Sequence, residues 1–316
     1  IKQKTSIKFE ANVIGVGNLE VGGTGKSPMI DFLIQYFLSK NKEIATLSRG
    51  YGRKTRGFRL GQSSDTAVTL GDEPMIYQKK YGKKISVAVS EDRAIGIPYL
   101  LAYNNDIEVI LLDDAYQHRS VKPSLSILLS TFKRPFYDDF LIPTGRLREA
   151  RRGAFRADII CFTKAPVDIS NQEQEQMIER TRQYHPNVPI FFTSIRYGAL
   201  VSFGTEKAKQ KVIGLAGIAD NNAFKAYLKS NFDLIEFYEF SDHYDYKTDE
   251  IDKIVEIMAY HDAMLVTTEK DFIKLEYFKN LIAKSCFYLP IEIKFIKSQS
   301  AFLKLVEDTL IKYPKY

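Results

Sequence analysis

Thiols are scarce in this chain. Cys161 and Cys286 are the only two in 316 residues, each inside an apolar run with no second thiol nearby. That speaks against a disulfide framework or a cysteine metal site, and both read as buried residues of a reducing compartment. Long apolar runs are missing as well. No stretch approaches the ~18 consecutive apolar residues of a membrane span. There is no secretory signal, internal repeat or low-complexity segment, and a first residue of Ile1 reads as a trimmed or incomplete start.

What is present is the composition of a soluble globular protein, with 45% hydrophobic and 27% charged residues. The length admits one large domain or two of ordinary size, each with a substantial core. A formal charge of +6 favours an anionic partner, and nucleic acid, an anionic membrane and a phosphorylated substrate all qualify. Charge alone does not choose among them.

The stretch ANVIGVGNLEVGGTGKS at 11–27 does more. A short apolar strand at 12–16 runs into a glycine-rich loop and then into a helix, with Pro28 in its first turn and Ile30, Leu33, Ile34, Phe37 and Leu38 at helical spacing. Gly22, Gly23, Thr24 and Gly25 let the backbone curl so that several N–H groups aim at one anion at the positive end of the helix dipole. Lys26 adds a mobile charge, and the Ser27 hydroxyl suits a magnesium ion on the same phosphates. This is the pattern of a phosphate-binding loop. It departs from the strict form in one place, since Glu20 stands where a glycine is usual.

Downstream, strands and helices alternate. Strands are expected at 43–48, 85–89, 108–114, 124–130, 157–163 and 188–195, with helices between several of them. Such alternation implies crossover connections and a mostly parallel sheet. The second strand empties into RGYGR at 49–53, which suits either an anion-facing loop or a solvated turn. The strand at 108–114 ends in Asp113 and Asp114, and ligands of parallel sheets bind beyond the carboxyl ends of the strands. These two carboxylates therefore resemble the magnesium-side acids that accompany a phosphate loop. Five arginines against the single acid Glu149 lie between Arg146 and Arg156, enough to clamp phosphate groups or to make a solvated helix face. Residues 54–66 are polar and irregular. A second alternation begins after 203, with strands at 212–218, 234–240 and 263–271, and FYLPIEIKF at 287–295 reads as running back beside the connector at 196–203. The last helix carries Phe302, Leu305, Val306 and Leu310 as an apolar stripe that must be buried.

GNLEVGGTGKSP, LSRGYGR, GDEP, the Asp92-Arg93 pair, DDAYQH, LIPTGRLREA, RADIICFTK, AGIADNNAF, FSDHYDY and TTEKD occur in that order. Together they resemble the tetraacyldisaccharide 4'-kinase family over nearly the whole chain. The resemblance implies a P-loop α/β fold: a nucleotide-binding kinase domain at 1–195 and 296–316, including a C-terminal helix that packs back, and a smaller α/β lobe at 204–288. Hinge strands at 196–203 and 289–295 would join them. It implies transfer of the ATP γ-phosphoryl group to the 4'-hydroxyl of a tetraacyl disaccharide 1-phosphate, a lipid A precursor, with Mg2+, at the cytoplasmic face of the bacterial inner membrane. An amphipathic N-terminal segment that binds the anionic membrane surface is usual in the family and is not in this sequence. No nucleic acid and no obligatory protein partner are implied.

Carried over position by position, the resemblance puts ATP on Gly22 to Ser27 and the metal on Ser27, Asp113 and Glu73. It makes Asp72 of GDEP the base that deprotonates the sugar hydroxyl, helped by His243, with Asp114 and Arg93 completing the catalytic set. Arg49, Arg53 and Arg148 are the expected substrate-binding cations. Because Asp72 and His243 fall in different predicted lobes, their meeting would require hinge closure over the substrate. Ala115-Tyr116 replaces the usual Gly-Phe, Thr144 and Arg146 alter the usual Ala-Gly-Pro-Leu run, Ser27 stands for the commoner Thr, and Asp220 sits where small or amide residues are usual. None of these removes a reactive group. A nucleotide-controlled switch that phosphorylates no acceptor would share the loop and the acids. A nucleic-acid binder would share only the basic balance and lacks a recognition motif.

Overall fold

The computed structural model describes residues 6–311, so both ends of the expected first domain, 1–5 and 312–316, lie outside the described residues. Fourteen strands occur among them: β1 (Asn12–Asn18), β2 (Ile44–Ser48), β3 (Arg59–Leu60), β4 (Ser86–Val89), β5 (Val109–Leu112), β6 (Leu125–Thr131), β7 (Ile159–Thr163), β8 (Ile190–Tyr197), β9 (Val201–Ser202), β10 (Lys211–Ala216), β11 (Asp233–Glu239), β12 (Met264–Thr268), β13 (Cys286–Leu289) and β14 (Ile291–Phe295). The α-helices are α1 (Lys26–Ser39), α2 (Ala67–Leu70), α3 (Asp72–Tyr81), α4 (Arg93–Tyr103), α5 (Asn171–Arg182), α6 (Asn222–Asn231), α7 (Thr248–His261), α8 (Glu269–Leu275), α9 (Lys279–Ile282) and α10 (Gln299–Asp308). The chain divides into two compact units, one comprising Ile1–Arg196 with Glu292–Tyr316 and the other Tyr197–Ile291.

The first unit is built on a nine-stranded sheet in the order β14-β8-β7-β6-β1-β5-β2-β4-β3. Pairing is parallel from β8 through to β4, and the two-residue β3 runs antiparallel along the edge of β4. Every residue of β1 and β5 is buried, as expected where helices cover both faces of a parallel sheet. β1 lies between β5 and β6, so the chain leaving it must turn into α1 beside the ends of both neighbours. Helix α1 forms because Met29, Ile30, Leu33, Ile34 and Phe37 fall on one buried face. Its buried Asp31 accepts hydrogen bonds from Lys80 Nζ (2.9 Å) and Tyr81 Oη (2.6 Å), which locks α3 alongside it.

The apolar stripe of α10 is buried within this unit. Phe302 is fully enclosed, with ring centroids 4.7 Å from Phe295, 5.4 Å from Phe191 and 6.2 Å from Phe32. Just beyond the helix, Ile311 N donates to Asn12 Oδ1 (2.8 Å) and Asn12 Nδ2 donates to Ile311 O (2.9 Å), tying the segment after α10 to the start of β1.

The second unit holds a five-stranded sheet, β11-β10-β12-β13-β9, parallel except for β9. Two apolar clusters lie in it, one around Leu215, Ile254 and Leu265, the other around Phe224, Leu228 and Val266. The run FYLPIEIKF, expected to return beside the connector, does so as two strands in two different sheets, separated at Pro290. Proline has no N–H to give the ladder and interrupts it there. TTEKD is also split, its threonines ending β12 and its charged residues opening α8. The segment at 54–66 contains the β3 edge pairing, too short for periodicity to reveal.

Replacing Phe302 by alanine removes the centre of the aromatic cluster under α10. The expected loss is about 3–5 kcal/mol, measured as a lowered urea midpoint of the full chain with the denaturant slope unchanged.

Candidate functional site

The phosphate loop leaves the carboxyl end of β1, and Asp113 and Asp114 leave the carboxyl end of β5. Parallel pairing of Gly15 with Leu112 brings the two ends side by side. Gly25 caps α1 in the left-handed conformation (φ 87°), and Thr24 N donates to Gly22 O (3.0 Å), so the loop curls tightly before the helix. Below it, Asn18 Nδ2 donates to Thr24 Oγ1 (2.8 Å) and Thr163 Oγ1, at the end of β7, donates to Thr24 O (2.7 Å). These two polar residues hold the loop's shape. Neither stands out in the sequence, because each becomes a neighbour of the loop only through the sheet.

Lys26 Nζ lies 3.4 Å from Asp114 Oδ1, and Arg148 grips both oxygens of the same carboxylate at 3.1 and 2.8 Å while also donating to Asn18 Oδ1. Burial alone would raise the Asp114 carboxyl, but Arg148, Lys26 and Arg93 hold it well below the usual carboxylate range. Its backbone is left-handed at φ 47°, strain of the kind that proteins keep at working sites. Asp113 is the opposite case. It is buried, which pushes its carboxyl up, and the facing Glu73 pushes it further, opposed by Lys26. One of its oxygens accepts from Asp114 N (2.8 Å), while Oδ2 is buried with no hydrogen-bond partner among the described residues. A buried carboxylate oxygen left open beside a second acid and a helix-start serine fits a hard cation such as magnesium. Ser27, Asp113 and Glu73 are the residues that would hold it. No cluster of three His, Cys, Asp or Glu able to hold a metal by itself occurs among the described residues.

Asp72 and Glu73 open α3, and α3 reaches this mouth because its buried Tyr77 lies 3.5 Å from Ser27 O. Gly71 precedes them with φ 100°. A side chain there would meet the backbone of Gly50 at 3.1 Å, so GDEP and RGYGR touch backbone to backbone and only glycine fits. Arg93 is buried in the first turn of α4 and donates to the carbonyls of Asp113 and Asp114, fixing the acidic turn from beneath; burial lowers its guanidinium to about 10. His118 is pushed down to about 4 by burial first and then by Arg93 and Arg49, so it is a neutral imidazole at pH 7.

The three expected substrate-binding arginines differ. Arg49 is exposed. Arg53 is bound to Glu91 Oε1 (2.6 Å) and Gly57 O (2.6 Å), holding its own loop. Arg148 is engaged with Asp114 and Asn18 as described.

His243 belongs to the second unit. There it is left-handed at φ 62°, with its Nε2 3.1 Å from Lys270 Nζ, which also pairs with Asp242 (2.6 Å). Beneath it the buried Asp271 accepts from Tyr246 Oη (2.8 Å), Gly217 N (3.0 Å) and Thr268 Oγ1 (2.6 Å). The AGIADNNAF, FSDHYDY and TTEKD stretches thus meet on one carboxylate at the carboxyl ends of the parallel strands. The sequence alone names Asp271 only as the end of a motif.

Glu20, where the strict loop pattern has glycine, is buried and takes a hydrogen bond from Thr131 N (3.3 Å). Burial pushes its carboxyl up to about 7, against the pull of Thr131 N–H and Arg146. Because the folded value exceeds the unfolded one near 4.5, the folded chain binds this proton more tightly and loses that stability as pH rises through about 7. Glu20→Gln should match the natural chain near pH 4.5 and surpass it at pH 8, measured as urea midpoints across that range.

The family model described as tetraacyldisaccharide-1-P 4'-kinase matches residues 1–310. The tetraacyldisaccharide 4'-kinase of Flavobacterium psychrophilum is 42% identical over 306 residues, covering 94% of this chain and 87% of that protein. That of Cytophaga hutchinsonii is 38% identical, covering 95% and 86%. The crystal structure of Aquifex aeolicus LpxK in complex with ATP superposes with a TM-score of 0.74 at 30% identity, over 97% of this chain and 90% of that one. With a phosphate loop and acids at one mouth and such relatives over its whole length, the chain belongs to the tetraacyldisaccharide-1-P 4'-kinase family.

Proposed function

We propose that this chain moves the γ-phosphoryl group of ATP to the 4'-hydroxyl of a tetraacyl disaccharide 1-phosphate in lipid A biosynthesis. The observation that carries the reading is the Lys26–Asp114 contact, which puts the phosphate loop and the acidic strand end at one mouth in a member of this family. Backbone N–H groups of residues 22–27 and the Lys26 ammonium hold the terminal phosphates. Magnesium would supply positive charge against the phosphates, and Ser27, Asp113 and Glu73 are the residues that would hold it.

Asp72, at the start of α3, takes the proton of the sugar hydroxyl as that oxygen attacks, a task worth roughly 10²- to 10⁴-fold. Asp114, with its charge secured by Arg148, fixes the position of the Lys26 ammonium, and Arg93 keeps the acidic turn in place. In this reading Arg49 meets the acceptor's 1-phosphate, segments 196–203 and 289–295 act as a hinge, and His243 assists the reaction. The acceptor is a lipid, which supports work at an anionic membrane surface, here assigned to the cytoplasmic face of the bacterial inner membrane. No helix among the described residues is long and apolar enough to cross a membrane.

Radiolabelled ATP and a lipid A disaccharide monophosphate test the reading directly. Label is expected in the lipid, and label found only in free phosphate would instead mark a nucleotide switch. Lys26→Ala should weaken ATP binding together with turnover. Asp72→Ala should lower kcat by about 10²- to 10⁴-fold with ATP binding intact, and near-normal turnover would mean that another group is the base.

A further inference from the structure

The arginine-rich segment after β6 does more than crowd the site with positive charge. Its backbone pairs with the phosphate loop itself: Arg148 N donates to Leu19 O (2.7 Å), Val21 N donates to Arg146 O (2.8 Å), and Glu20 and Leu147 form an antiparallel bridge. The segment is pinned from its other side by the buried Asp139, which accepts from Arg146 N (3.0 Å) and Arg134 Nη2 (2.8 Å). Arg146 is therefore placed by main-chain bonds on both flanks. Its side chain lies on the loop at Gly22, where an added Cβ would stand 2.1 Å from Arg146 Nη2. Gly22 has a φ of 103° and no side chain, so the guanidinium can seat there.

Three other arginines of the segment are occupied, Arg148 with Asp114, Arg151 with Asp139 O and Arg156 with Glu149. The Arg146 guanidinium has no ion pair or hydrogen bond among the described residues, and the residue is exposed at the mouth. Its position along the loop matters. The amides at the start of α1 cradle the inner phosphates, Lys26 reaches outward to the terminal one, and the loop before the helix lies on that outer side. Gly22 belongs to that outer part.

We propose that Arg146 is an arginine finger supplied by the chain itself, contacting the γ-phosphoryl group of ATP as it transfers. The inference rests on the ATP reading of the loop given above. In the step, the bond from the γ-phosphorus to the β,γ-bridging oxygen breaks and its electron pair stays on ADP. A bond forms to the acceptor hydroxyl oxygen, and the hydroxyl proton goes to the carboxylate base. Arg146 neither gains nor loses a proton; its fork of N–H donors balances the charge on the transferring oxygens. A lysine at this place would supply charge without the planar fork.

The test separates ATP from ADP. Calorimetric titration of each nucleotide with magnesium, in the absence of acceptor, is run on the natural chain, Arg146→Ala and Arg146→Lys. Arg146→Ala should lose about 10- to 100-fold in ATP affinity, the worth of one charge-assisted hydrogen bond, with ADP affinity unchanged. Turnover should fall by about 10³-fold or more, and Arg146→Lys should regain ATP affinity better than turnover. Equal losses for ATP and ADP would mark Arg146 as support for the loop and overturn the proposal, as would unchanged ATP affinity. Failure of the natural chain to bind either nucleotide would remove the ATP reading along with it.

Discussion

The pairing of β1 with β5 is the constraint from which the rest of the site follows. Parallel register places the end of β1, where the backbone turns into a curl of N–H donors, next to the end of β5, where two carboxylates emerge. Electropositive loop and acidic turn are each awkward alone. Asp113 is buried with an oxygen that no hydrogen bond among the described residues satisfies, which costs free energy in the absence of a cation. Lys26, Arg148 and Arg93 converge on the same turn and offset part of that cost. A folded core that must keep such a carboxylate accepts instability in return for a place where a hard cation and phosphate oxygens fit.

Around this pair the fold supplies positioning through ordinary polar contacts. Asp31 ties α3 to α1 and so delivers Asp72 and Glu73 to the mouth, while Gly71 against Gly50 allows the two loops to approach more closely than side chains would permit. Arg53, expected from the sequence to meet substrate, is bound to Glu91 and a carbonyl and shapes its loop instead. The arginine segment is a third strand-like support on the phosphate loop. Its contact with Glu20 accounts for the missing glycine: that position is bridged to Leu147 and its side chain is buried against Thr131, so the curl begins later, at Gly22.

The second unit repeats the logic on a smaller sheet. Its parallel strands also gather their loops at their carboxyl ends, and Asp271 binds three of those loops through one carboxylate. His243 is held beside Lys270 in a left-handed turn, a conformation that few residues other than glycine take without local support.

Much of this was legible in the residues themselves. The curl of Gly22 to Gly25, the lysine and serine that open α1, and the alternation of apolar strands with amphipathic helices are local properties, carried by backbone freedom and side-chain periodicity, and they determine a P-loop α/β fold without any knowledge of contacts. The acidic pair was legible for the same reason, since it ends an apolar strand. Strand order, by contrast, is a property of long-range pairing. Only the sheet decided that Thr163 and Asn18 would brace Thr24, that Arg148 would bind Asp114, and that Arg146 would lie on Gly22. The same holds for Pro290, which divides one apolar run between two sheets. Residues far apart in the chain acquire charge partners, burial and shifted proton affinities only when packing brings them within a few ångströms, and local sequence carries no record of that distance.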